Sequence, residues 1–141
     1  MPVVKNFEFI NFKVSVLNYS QNQLFTNDSE SKEIELKPDF DVTYNKGKNS
    51  VVVDLSVNIK NKTAPFFLHV VLTGLFELKY DFSEEELDKL VKINLAAILF
   101  PFLRQVIADT TTKGGYAPLL LPPINFSKAF QKAHDKKNIL E

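Results

Sequence analysis

Residues 94–130, NLAAILFPFLRQVIADTTTKGGYAPLLLPPINFSKAF, decide the fold of this 141-residue chain. Apolar side chains occupy most positions in the first part of the segment, which predicts a buried helix. Pro101 removes one helical hydrogen bond, so we predict a kink or a break there. Gly114 and Gly115 end the helix. The prolines of Tyr116–Ile124 then keep the chain out of helix and sheet, which predicts an extended crossing segment.

The distribution of apolar side chains around this helix predicts an oligomer. Between Ile93 and Thr112, apolar side chains point in most directions. A helix that is apolar all round must be covered on more than one side. A four-stranded domain has no second layer to do this, so we predict that another copy of the chain covers the helix. The predicted interface residues are Leu99, Leu103 and Val106.

The remainder of the chain predicts a sheet and a second helix. Segments of alternating apolar residues, rich in β-branched and aromatic side chains, predict strands. The four predicted strands are Phe7–Leu17, Glu33–Tyr44, Val51–Ile59 and Phe66–Tyr80. Short or polar turns join them, which favours an antiparallel meander. With a short amphipathic helix at Ser127–Lys137, residues 1–141 are predicted to form one α+β domain, a four-stranded sheet packed with a long, proline-interrupted helix and a short C-terminal helix.

Two local patterns predict finer detail. The alternation of the first strand slips once near Ile10, which indicates a β-bulge. Ser83 followed by Glu86 is typical of a capping box at the start of a helix.

The strand that begins at Phe66 is apolar on both faces in its first half, so a sheet face that should meet water carries apolar surface beside His69.

Composition excludes several function classes. Lysine plus arginine and aspartate plus glutamate both number 17, and this neutral balance predicts no attraction to nucleic acid. The chain has no cysteine, which excludes disulfides and thiol catalysis. The apolar run Leu95–Leu103 is shorter than the roughly 20 residues of a membrane span, so we predict no membrane insertion. The N-terminus lacks the layout of a signal peptide, and we expect a cytoplasmic protein.

No set of side chains predicts catalysis. His69 and His134 are the only histidines, and neither has an acidic partner at metal-ligand spacing. Glu84–Glu86 is explained by a solvated first helical turn. We therefore predict no catalytic residues, no metal, no cofactor and no enzyme activity. The remaining signal is surplus apolar surface, which fits a core plus an oligomer interface or a groove for extended, non-native polypeptide.

The order of the motifs in residues 94–130 is similar to that of the SecB family of protein-export chaperones. Ile98-Leu99-Phe100-Pro101-Phe102 resembles the family's leucine-phenylalanine-proline-aromatic motif, and Arg104 follows as in the family. Thr112–Tyr116 matches its basic-glycine-aromatic turn, and Leu119–Phe126 its proline-aliphatic-asparagine-phenylalanine motif. Order and spacing agree over about 35 residues, which makes the resemblance fairly specific.

The resemblance implies a homotetramer, built as a dimer of dimers, that acts as an ATP-independent holdase. Such a chaperone binds unfolded precursor polypeptides in apolar grooves and delivers them to the SecA motor. Carried over by position, the implied client-binding residues lie on the second strand, at the start of the fourth strand and on the C-terminal helix. They are Leu36, Phe40, Val42, Phe66 and Phe130.

Two departures from the family pattern keep alternatives open. Export members are strongly acidic, whereas this chain is neutral. His69 stands where the family has an acidic residue of its SecA-contacting surface. A SecB-like chaperone for one client, such as the antitoxin of a toxin–antitoxin pair, is therefore the main alternative. An α+β enzyme, for instance a hot-dog-like thioesterase, is a distant third, since it would need a placed carboxylate or histidine.

Overall fold

The computed structural model of the chain describes residues 6–25 and 36–140, with side chains as far as residue 135. Four strands form one antiparallel sheet in the order β1-β4-β3-β2. Their bounds are β1 Phe7–Gln21, β2 Asp39–Lys46, β3 Ser50–Ile59 and β4 Phe66–Leu78. The predicted α+β class and four-stranded antiparallel sheet are confirmed.

The predicted meander is correct for β2, β3 and β4 but wrong for β1. Short connections join β2 to β3 and β3 to β4, so these strands pair in sequence order. The connection from Gln21 to Asp39 is long enough to reach the far side of the sheet, where β1 pairs with β4. Most of the predicted start of β2, residues 33–35, lies outside the described residues, and the described strand begins at Asp39.

The bulge predicted near Ile10 is confirmed. The pairing of β1 with β4 shifts register between Phe9 and Asn11, and shifts again between Val14 and Val16. At the second shift, Ser15 Oγ lies 2.5 Å from Thr73 Oγ1, which donates to Asp54 Oδ1 at 2.6 Å. This chain of hydrogen bonds joins β1, β4 and β3 on the sheet face turned away from the helices.

A continuous helix packs across the other face. It consists of α1 (Glu84–Lys89), a π-helical turn (Leu90–Leu95) and α2 (Ala96–Lys113). The predicted capping box begins it: Glu86 N donates to Ser83 Oγ and Ser83 N donates to a Glu86 carboxylate oxygen, both at 3.2 Å. A kink or a break is predicted at Pro101, and no break is found there, because α2 continues through this residue. The hydrogen-bond pattern changes earlier, in the π-turn, where Ala96 N bonds to Val91 O.

The inner row of this helix is the centre of the core. The row is fully or almost fully buried and faces the inward side chains of β3 and β4; it consists of Leu87, Val91, Leu95, Leu99, Leu103 and Ile107. By length and composition alone, the whole helix is also long and apolar enough to span a membrane. Its buried inner row, however, is typical of a helix that packs in a protein core. Because Leu99 and Leu103 are 0% exposed within one subunit, their assignment to an oligomer interface was wrong.

The helix is covered by its own chain on a second side. After the turn at Gly114 and Gly115, where Gly115 has a φ of 91° that favours glycine, residues 116–125 return along the helix. Thr111 Oγ1 accepts the N–H of Leu119 at 2.9 Å, and Leu121 is buried in the core. The interface prediction overlooked this return segment.

One apolar surface of the described chain stays open. On the helix side of β1, Phe12, Val14 and Leu17 are 39%, 40% and 51% exposed. Phe12 stacks on half-buried Phe102 of α2, with 4.4 Å between ring centroids. We call these four residues the β1 apolar row.

Candidate functional site

A groove of about 380 Å³ lies between the edge strand β2, the start of the long helix and the last helix, α3 (Phe126–Leu140). Its apolar lining comes mainly from β2 and α3. The apolar lining residues are Phe40, Val42, Ile124, Phe126, Ala129, Phe130 and Ala133. The polar lining residues are Asp41, Asp88, Lys92 and His134.

The groove has an aromatic base. Phe100 of α2 is 7% exposed and contacts both sides of the groove edge to face. Its ring centroid lies 6.3 Å from that of Phe40 on β2 and 5.9 Å from that of Phe126 on α3. Such aromatic contacts stabilise a packing arrangement beyond the area that they bury, so Phe100, which lies behind the lining residues, joins the two walls.

The Asn125-Phe126 pair places α3. Asn125 Oδ1 accepts the N–H of Lys128 at 3.0 Å, which caps the helix, and Phe126 is 8% exposed in the core. From this anchor the helix turns Phe130 towards the groove, where its ring stacks on that of His134. The prolines before Asn125 keep the approach extended.

A polar bridge closes one end of the groove. Tyr44 donates its hydroxyl proton to Asp88 Oδ1 at 3.0 Å, and Lys92 Nζ lies 3.1 Å from the same oxygen. Burial, followed by the hydrogen bond to Asp88 and the nearby carboxylates, raises the pKa of Tyr44 above its ordinary value. Tyr44 therefore remains a donor across the physiological pH range.

These features form an apolar, partly charged groove whose chemistry suits the burial of apolar side chains. Within the described residues, no group of three or more histidine, aspartate or glutamate side chains could hold a metal ion. The wall formed by β2 is an edge strand, because in the described sheet this strand pairs only with β3. Free backbone groups of an edge strand can pair with an added extended segment.

The structure brings together three of the five sequence-predicted client-binding residues. Phe40, Val42 and Phe130 all line the groove. Leu36 is half-buried and packs against the core but does not line the groove. Phe66 is 3% exposed and packs between the rings of Tyr19 and Tyr116, under the return segment and away from the groove.

Sequence reasoning missed the residues that join the two walls. In the sequence, Phe100 and Phe126 stand out only as members of two motifs. No role is predicted for Asp88 and Lys92, although both line the groove. One signal was available: the buried helix positions recur every four residues from Leu87, a spacing wider than the 3.6 of an α-helix and consistent with a π-turn.

Comparison with known proteins places the chain. The family model described as preprotein translocase subunit SecB matches residues 10–137. The chain belongs to the SecB family. This SecB-family chain is 36% identical over 134 residues to the protein-export protein SecB of Bartonella quintana. The aligned region covers 85% of this chain and 84% of the relative. It is 37% identical over 116 residues to that of Nitrosococcus oceani, covering 76% and 70% of the two chains.

A solved structure shares the fold of this SecB-family chain. It is the SecB-like chaperone of Mycobacterium tuberculosis in complex with a peptide from the HigA1 antitoxin. The superposition has a TM-score of 0.72 at 16% identity and covers 84% of this chain and 91% of the other. The predicted resemblance to the SecB family is confirmed by these matches.

Proposed function

We propose that the chain is an ATP-independent holdase that binds unfolded precursor polypeptides and serves protein export. The observation that carries the mechanism is the groove, in which Phe40, Val42 and Phe130 surround an aromatic base. An extended client segment would bury apolar side chains there while its backbone lies along β2. Burial of about 25 cal/mol per Å² of apolar surface supplies the affinity, so the cycle needs neither a catalytic residue nor a nucleotide.

Aggregation of a chemically denatured model client tests this function. Stoichiometric chaperone should suppress the light scattering that follows dilution of the client. Phe130→Ala should weaken client binding by about tenfold or more, because a central aromatic anchor is removed. Lys128→Ala, which changes an exposed side chain on the same helix, should bind as the wild type does. Absence of suppression by the wild-type protein would rule out the holdase function.

A chaperone dedicated to one client is the second candidate, and the Mycobacterium tuberculosis complex with an antitoxin peptide favours it. That likeness at 16% identity concerns the fold, whereas the relatives at 36% and 37% identity are named protein-export proteins. We therefore place export first. A panel of unrelated unfolded clients decides between them, because a general export chaperone binds most of the panel and a dedicated one binds a single member.

We further propose that the chain assembles as a homotetramer, a dimer of dimers, through the β1 apolar row. Phe12, Val14 and Leu17 form an exposed apolar strip beside Phe102, and such strips on soluble proteins are typical of contact surfaces. Half-buried Val106 remains a candidate contact of α2, whereas Leu99 and Leu103 do not. Native mass spectrometry or light scattering with chromatography measures the assembly.

Delivery to SecA, in the cytoplasm, is the last part of the proposal. The sheet face turned away from the helices carries Glu8 and Glu77, paired across β1 and β4, and Asp54 on β3; His69 lies on the same face, towards the other end of β4. These carboxylates offer a docking surface for a basic partner although the whole chain is neutral. Titration of labelled chaperone with SecA, with Glu77→Lys as the variant, should give saturable binding that the variant weakens. No binding by the wild type would remove SecA as a partner.

A further inference from the structure

Edge strand β2 is held by the described sheet on one side only. Its backbone pairs with β3 from Asp39 to Lys46, and the other side faces the groove. The inward side chains Phe40, Val42 and Tyr44 are all half-buried, whereas those of β3 opposite them are fully buried. The position of this wall therefore depends on contacts made across the groove as well as on the sheet.

Two contacts that cross from β2 to the helices bear on the position of this wall. The first is the edge-to-face contact of Phe40 with Phe100, two apolar rings whose centroids lie 6.3 Å apart. The second is the hydrogen bond from Tyr44 to Asp88, which measures 3.0 Å and has a carboxylate acceptor. Hydrogen bonds to charged groups are shorter and stronger than neutral ones. The Tyr44–Asp88 bond is thus the more exact constraint on the separation of the walls.

The acceptor is itself held in place. Asp88 lies in the last turn of α1, and Lys92, one turn later in the π-turn, approaches the same carboxylate oxygen at 3.1 Å. A π-turn inside a helix is often found at a functional site. Helix α3, which supplies the opposite wall, packs against this π-turn. The Asp88 carboxylate therefore stands where β2, the π-turn and the groove lining meet.

We propose that Asp88 is a positioning residue of the groove, which holds β2 through Tyr44 at the separation that suits an extended apolar segment. The proposal rests on the proposed holdase function and assigns one hydrogen bond to it. It implies that the bond improves affinity by pre-organising the groove before the client arrives. Asp88 need not touch the client for this effect.

Two measurements on the full chain test the proposal. The probe is reduced, carboxymethylated lactalbumin, which stays unfolded in native buffer and carries a fluorescent label for anisotropy titration. Amide hydrogen exchange, followed by mass spectrometry, reports on residues 39–46 separately from β3 and β4. In Tyr44→Phe we expect affinity to fall between about threefold and tenfold, the effect of losing one pre-organising contact. We also expect faster exchange in β2 with unchanged exchange in β3 and β4.

Conservative variants separate positioning from a general loss of stability. Asp88→Asn keeps an oxygen that accepts from Tyr44 in a neutral, weaker bond and should lose less affinity than Asp88→Leu, which should match Tyr44→Phe. The double variant Tyr44→Phe with Asp88→Leu should be no worse than either single variant, because both remove the same bond. Lys89→Met, an exposed neighbour on α1, is the matched control and should behave as the wild type.

The outcomes distinguish this inference from the holdase function. If the wild-type chain does not bind the probe, the holdase function fails. If the wild type binds and Tyr44→Phe binds equally well with unchanged exchange in β2, only the positioning role fails. The positioning role is also overturned if Asp88→Asn loses as much affinity as Asp88→Leu, because the charge and not the hydrogen bond would then matter. Should Tyr44→Phe fail to fold, the Asp88→Asn and Asp88→Leu pair carries the test.

Discussion

The two edges of the sheet carry opposite chemistry. At β1 the helix-side row is apolar and exposed, with Phe12, Val14 and Leu17 open beside α2. At β2 the helix-side residues Phe40 and Val42 line a groove, and Asp39 and Asp41 alternate with them along the strand. An apolar row that is open along its length suits a permanent partner of matching shape, whereas a groove with a charged rim suits an exchangeable one. This contrast supports the proposal that β1 serves assembly and β2 serves clients.

The largest effect is expected in the core, which belongs to neither edge. Leu103→Asp places a carboxylate where the wild-type side chain is 0% exposed. A buried charge without a partner costs at least about 3–5 kcal/mol, a large part of the stability of a small domain. We expect loss of the cooperative unfolding transition in denaturant titrations followed by circular dichroism. A folded Leu103→Asp subunit of lower native mass would instead return this residue to an interface.

The next largest effect concerns β1. Phe12→Asp combined with Leu17→Asp should reduce the native mass of the assembly, because both side chains are exposed in the isolated subunit and would meet carboxylates of another copy. Interface aromatic residues commonly contribute about 2 kcal/mol or more. Circular dichroism should show a folded subunit. A matched pair of changes at outward-facing positions, Lys13→Asp with Asn18→Asp, should leave the mass unchanged, and an unchanged mass for both pairs would refute the assignment of β1 to assembly.

A moderate effect should separate the stabilities of the two edges. Thr73→Val removes the hydroxyl that joins Ser15 to Asp54 on the outer face. A lost hydrogen bond of this kind costs about 1–2 kcal/mol. Because Ser15 lies at the second register shift of β1, hydrogen exchange should accelerate in β1 and not in β2. Equal acceleration in both strands would show that the edges unfold together.

The smallest expected effect is on the pH dependence of stability, to which one tyrosine near each edge contributes. Burial, and then the neighbouring Tyr116, raises the pKa of Tyr19; burial and Asp88 raise that of Tyr44. A raised folded-state pKa gives stability that is complete below the unfolded value of about 10 and is lost as the pH rises through the folded value. Either phenylalanine variant should therefore lose less stability than wild type between pH 9 and 11, as measured by urea unfolding.

The same variants should differ at neutral pH. Among the described residues, Tyr19 Oη is buried without a hydrogen-bond partner, so Tyr19→Phe should be neutral or slightly stabilising. Tyr44→Phe loses its bond to Asp88 and should cost about 1–2 kcal/mol. Equal free energies of unfolding for the two variants at pH 7 would contradict this difference between the edges.

Much of the fold could be predicted because local rules determine it. Alternation located the strands, the slip near Ile10 located a bulge, and Ser83 with Glu86 located a helix start. The position of β1 could not be predicted, since pairing with β4 depends on where a long connection leads. The oligomer interface was misassigned because counting apolar faces ignores cover from the same chain, here by Leu121 and the return segment.

The groove could be predicted by element but not by residue. Phe40, Val42 and Phe130 follow from the family resemblance, and they meet in one cavity. Phe66 has the same chemistry, yet it packs against Tyr116. It lies away from the groove because β3 separates β4 from β2 in the sheet. The bridge from Tyr44 to Asp88 joins residues 44 positions apart, a contact that no periodic pattern encodes.

The charged edge of β2 has a consequence for solubility. A holdase whose described sheet leaves one edge strand without a second neighbour has to remain dissolved while no client is present. If two copies met at β2, Asp39 and Asp41 of each would be brought together, and Pro38, just before the strand, has no N–H with which to extend the pairing. A client segment that lacks these carboxylates would meet no such repulsion. Under the proposed holdase function, the same three residues would favour the binding of foreign chains over the addition of further copies of this one.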